Sequence, residues 1–145
     1  MYTGFKHLHS FIAYILLTVF IFSILFALVR LIQKKSFSDL MRKVALGGLI
    51  SMHLQFLVGL VLYLVSPLGL SNLMSGEAMQ NSLSRLYALE HPLIMLIAVV
   101  LVTIGYRKVK KPGDDVRRYK TLLLFYTIAL ILVLIRIPWQ VWPAA

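Results

Sequence analysis

Full charges are missing from four long stretches of this chain, and that absence decides what it can fold into. No Lys, Arg, Asp or Glu occurs in 7–29, 44–76, 91–106 or 121–135. A chain of 145 residues that is 60% hydrophobic, with mean hydropathy +0.87, is too apolar for one water-soluble core with a charged coat. A bilayer accounts for it, because about 20 apolar residues cross the hydrocarbon core as a helix. The helix is favoured there because it satisfies its own backbone hydrogen bonds. Spans are predicted at about 8–32, 43–65, 82–106 and 119–141 within a single domain, 1–145. The fold class is all-α: an integral membrane four-helix up-down bundle, the natural packing for four spans on short connections.

The first span rivals a signal peptide in position, but it is longer than the usual apolar region and lacks a small-residue cleavage site, so it reads as a helix. The second stops at Ser66-Pro67, and its Gly47, Gly48 and Gly59 allow close helix approach. The segment 67–84 reads as a loop with a short interfacial helix. In the third span Pro92 removes a backbone donor, which predicts a kink or break beside His91. Arg136 and Pro138 interrupt the fourth, and Trp139 and Trp142 finish it at the interface.

Charge gives the orientation. Twelve of the fifteen Lys and Arg lie in two short segments, 30–43 and 107–120. Loops so enriched are expected on the cytoplasmic side, which puts both termini outside. The formal charge of +10 is therefore read as contact with the lipid bilayer and not with nucleic acid. The absence of cysteine excludes disulfides, zinc-thiolate sites, iron–sulfur ligation and covalent c-type haem.

Four histidines remain: His7, His9, His53 and His91. None lies in a basic loop. His7 and His9 are about 200° apart around a helix axis, so one turns inward and the other toward the interface. His91 falls roughly 10 Å below the outer boundary and His53 roughly 20 Å. Polar groups at such depth are costly and usually functional. Imidazoles from facing helices suit a b-type haem, whose iron takes two axial histidines. Copper, drawing also on Met52 and Met95, is the alternative cofactor, and zinc fits less well because the histidines are spread over several turns.

The favoured axial pair is His9 with His91, from helices that are diagonal in an up-down bundle. His53 with His91 competes if the third helix shifts at Pro92, and a His/Met pair using Met95 is a minor option. Arg136 and Arg85 are candidate partners for haem propionates, with interfacial anchoring as the alternative. Glu90 would orient a histidine or pair with an arginine. Gln55, with His53, is the strongly polar residue of its span and a further candidate to contact the cofactor.

"KHLHS" at 6–10, "HLQFLVGLVLY" at 53–63, "EHPLIML" at 90–96 and "IPW" at 137–139 together resemble a family of small four-span bacterial membrane proteins catalogued as cytochrome b-like. The resemblance covers nearly the whole chain. It implies haem histidines at His7, His9, His53 and His91 and a place in the bacterial cytoplasmic membrane. The plan is more loosely similar to other b-type membrane cytochromes and to one half of a haem A synthase. The function expected is electron transfer by a haem b protein, as a carrier or as the membrane subunit of a redox complex with a protein partner, more than a stand-alone enzyme. A cofactor-free accessory or scaffold subunit is the alternative, and a copper-binding membrane protein is the third reading.

Overall fold

The structure, a computed structural model, describes residues 1–143; the last two residues of the expected 1–145 unit lie outside the described residues. Among the described residues five α-helices carry the chain, α1 Tyr2–Ile32, α2 Asp39–Val65, the short α3 Leu70–Met74, α4 Ser82–Lys110 and α5 Asp115–Arg136, with a 3-10 turn at Glu77–Met79. No strand occurs among the described residues. The protein is an all-α four-helix bundle, and α1, α2, α4 and α5 are each long and apolar enough to cross a membrane. Their outward faces are covered by exposed Leu, Ile, Val and Phe, as at Phe11, Leu57, Val100 and Leu124.

The helix boundaries depart from hydropathy where capping chemistry decides. α1 begins at Tyr2 and not near Leu8, because no proline interrupts the polar flank. α2 begins four residues earlier than its apolar run, where the Ser38 hydroxyl accepts from the Met41 N–H at 3.3 Å. Asp39 then meets Arg42 and Lys43 in the first turn, at 2.5 and 3.2 Å. α5 likewise starts early, with the Asp114 carboxylate accepting from the Arg117 N–H at 2.7 Å. α4 runs on to Lys110, ending just before Pro112.

α5 ends at Arg136, five residues before the predicted 141. Ile137 takes extended backbone geometry (ψ 135°), as the residue preceding a proline tends to. Pro138 has no N–H for the Leu134 carbonyl, and the Trp139 indole N–H supplies that bond instead, at 2.8 Å.

Around the bundle α1 packs on α2 and α5, while α4 packs on α2 and α5; α1 and α4 therefore face each other across a diagonal. In the core the Phe20 and Tyr126 rings stack at 5.0 Å, and the Tyr126 hydroxyl donates to the Ala45 carbonyl. Gly48 makes room for this ring: a Cβ there would lie 2.8 Å from Tyr126 Cε2. The basic loops are tied down at one end of the bundle. Arg30 donates to the Tyr119 hydroxyl at 3.1 Å, and Tyr119 donates to the Ser36 carbonyl at 3.0 Å. The Arg118 guanidinium lies 4.1 Å from the Phe37 ring centre and donates to the Val109 carbonyl at 2.9 Å. The opposite end holds His9 and His91.

Candidate functional site: a histidine pair across the bundle

Pro92 shapes the α4 wall of the site. The five residues before His91, Leu86–Glu90, form a π-turn, and the His91 N–H bonds to the Leu86 carbonyl five residues back. The kink predicted beside His91 is thus a π-turn inside a continuous Ser82–Lys110 helix, and not a break. Pro92 cannot return a bond to the Ala88 carbonyl four residues earlier. That carbonyl accepts from the Tyr63 hydroxyl of α2 at 2.9 Å.

His91 projects from this turn toward the end of α5. Its Nδ1 lies 2.7 Å from the Arg136 backbone carbonyl, which the early end of α5 has left without a helical partner. A carbonyl only accepts, so Nδ1 carries the proton, and in the neutral ring Nε2 keeps its lone pair. Across the diagonal stands His9 of α1. The two ring centres are 6.3 Å apart with planes at 84°.

His9 is held from α2. The Gln55 side-chain amide donates to the His9 backbone carbonyl at 3.0 Å and lies 3.4 Å from His9 Nε2. Gln55 itself is 8% exposed, so the polar face of α2 turns inward here. Gly59, one turn on, is the seat of the ring: a Cβ at that position would lie 2.7 Å from His9 Cε1. His9 Nδ1 is buried with no hydrogen-bond partner, as is Gln55 Oε1. Unpartnered polar atoms in an apolar bundle cost free energy, so each marks where another group would gain a bond.

The other two histidines stand apart. His7 is exposed, while His9 turns inward, as the angle between them predicts. His53 lies on the α2–α4 contact, with Nδ1 2.9 Å from the Leu49 carbonyl and Nε2 3.4 Å from the Thr103 hydroxyl. Thr103 is twelve residues beyond His91 on α4, roughly 18 Å along the helix. The grouping of four histidines therefore resolves into one facing pair, one helix-packing histidine and one exposed histidine. Met52 is buried and Met95 half-buried. Among the described residues no three His, Cys, Asp or Glu side chains converge in a way that would hold a metal ion.

The charged residues form a bridge at the rim. Glu90 takes Arg85 through one carboxylate oxygen at 2.8 Å and Arg136 through the other at 3.7 Å. This joins α4 to the end of α5 beside His91. The chain then folds back over α1: the Trp142 indole N–H donates to the Ser10 hydroxyl at 2.7 Å, and the Trp142 ring rests on Tyr14 at 4.8 Å. Tyr63, Gly59, Ser10 and the Arg136 carbonyl were not singled out as site residues from sequence. Gly59 stood out only as a small residue, and Arg136 only for its guanidinium.

No family model matches the chain, and neither a curated protein nor a solved structure matches it.

Proposed function

We propose that this chain is a membrane-embedded haem b protein acting in electron transfer, in which His9 and His91 would hold the haem iron. The observation that carries the reading is the facing pair of imidazoles 6.3 Å apart. The donor set fits in two further respects. His91 donates through Nδ1 to a carbonyl, the arrangement that orients a ligating histidine and leaves the Nε2 lone pair free. His9 keeps a buried ring nitrogen without a partner.

Bound between them, a haem would supply a one-electron iron couple. The chain's own residues do the rest. The Arg136 carbonyl fixes the His91 ring, Gln55 anchors the backbone at His9, and Gly59 leaves space for the His9 ring. Arg85 and Arg136 offer two cations against the single carboxylate of Glu90, a surplus suited to a propionate. Apolar helices surround the half-buried pair. Positive-inside loops support a bacterial cytoplasmic membrane location, with termini outside and a redox protein partner or larger complex to exchange the electron.

Reduced-minus-oxidised absorption spectra of the purified protein, with a haem-to-protein ratio, test this. A Soret band that responds to dithionite and is lost in both His9→Ala and His91→Ala is expected. A folded wild-type protein that takes up no haem overturns the proposal. The competing reading, a cofactor-free scaffold subunit, draws support from His53, whose ring contacts are to Leu49 and Thr103 at a helix interface. It predicts that all four histidines tolerate replacement.

A further inference from the structure

At the basic end of the bundle, far from the histidine pair, a cavity of about 510 Å³ opens between α4 and α5. Arg107, Lys108, Lys111, Arg117 and Arg118 line it, against the one carboxylate of Asp114. That carboxylate already caps the Arg117 N–H, and Asp115 reaches Arg118 at 3.7 Å. Among the described residues no acidic side chain pairs with Arg107, Lys108, Lys111 or Arg117. In the other basic loop Asp39 takes both Arg42 and Lys43 and Arg30 is bonded to Tyr119 and Ser36, which leaves Lys34 and Lys35 there without an acidic partner among the described residues.

The cavity is amphipathic along the bundle axis. Ile104 belongs to its wall, and a neighbouring hollow of about 400 Å³ shares Asp114, Arg117 and Thr121 and adds Lys120, Val116 and Leu124. Ile104, Val100, Leu124 and Ile128 are exposed on the outer faces of α4 and α5, running from the cationic rim toward mid-membrane. Cations crowded around a cavity repel one another unless an anion joins them. A phosphate with apolar chains attached would satisfy the rim and cover the apolar strip at once.

We propose that this cavity is a specific binding site for an anionic phospholipid, with its phosphate among Arg107, Lys111 and Arg117 and its acyl chains along Ile104 and Leu124. A free phosphate would use only the rim, whereas the apolar strip favours the lipid. Basic pockets between helices at a membrane face commonly hold such headgroups.

The test uses the full chain in detergent, with binding read by native mass spectrometry and by thermal melting. The additions are dioleoyl phosphatidylglycerol, dioleoyl phosphatidylcholine or inorganic phosphate. Wild type should retain phosphatidylglycerol in preference to phosphatidylcholine and gain little from phosphate. The double variant Lys111→Gln/Arg117→Gln should lose affinity for the anionic lipid by roughly 30-fold, from two basic residues at the surface. Lys34→Gln/Lys35→Gln removes equal charge from the same end and should lose far less. Lys111→Gln alone, at an exposed position, should show an intermediate loss should the double variant fold poorly. Equal losses in the two double variants, equal retention of the two lipids, or equal stabilisation by inorganic phosphate would each overturn the proposal.

Discussion

His91 donates its Nδ1 proton to the backbone carbonyl of Arg136, 2.7 Å away. Two prolines create this bond. Pro138 ends α5 so that the Arg136 carbonyl is not consumed within the helix, and Pro92 follows the π-turn that carries His91. Replacing Pro138 with Ala should let α5 continue, so that the Gln140 N–H takes the Arg136 carbonyl. His91 then loses its orienting acceptor, and if the pair holds haem as proposed, its affinity should fall about 10–100-fold while the helical far-UV signal is kept. Titration of the apoprotein with haemin measures this.

Gly59 tests the seat of His9. A Cβ there meets His9 Cε1 at 2.7 Å, whereas one at Gly47 meets only Val19 Cγ1 at 3.9 Å. Gly59→Ala should lower stability by about 1–3 kcal/mol through overpacking and displace His9. Gly47→Ala should be neutral. Thermal melting in detergent, beside the haem spectrum, separates the two, and equal behaviour would contradict the assigned contact.

Tyr63 is expected to matter because of Pro92. Tyr63→Phe leaves the Ala88 carbonyl without its donor, at a cost of about 1–3 kcal/mol for a buried unpaired group. In a Pro92→Ala background the backbone regains an N–H, and the cost of Tyr63→Phe should shrink. A double-mutant cycle with no coupling would remove this link.

His53 separates packing from ligation. Bonded to Leu49 and Thr103, it should cost about 1–2 kcal/mol of stability as His53→Ala while leaving in place the haem spectrum that the proposed function requires. The exposed His7→Ala should change neither. Loss of the spectrum in His53→Ala would return that residue to the ligand set.

The four spans were legible because hydrocarbon thickness and backbone hydrogen bonding leave a chain this apolar few alternatives. The facing of His9 and His91 was legible too, since depth along each helix and the diagonal order of an up-down bundle together bring them near. His53 could not be placed in the same way. Depth gives the height of a residue, but the direction its side chain takes depends on how helices pack, and His53 faces Thr103. The part played by Arg136 was hidden for a different reason. Residue type advertises a guanidinium, whereas the atom that meets His91 is a carbonyl that any residue would offer once Pro138 stops the helix. Tyr63 stayed unseen because its partner exists only through the missing N–H of a proline 29 positions later.

The diagonal position of α1 and α4 has a consequence for assembly. The chain divides into two helical hairpins, α1 with α2 and α4 with α5, and each carries one imidazole of the pair. Neither half can present both. The site therefore exists only when the two halves are docked, so that a group bridging His9 and His91 would stabilise the docked state and clamp the bundle shut.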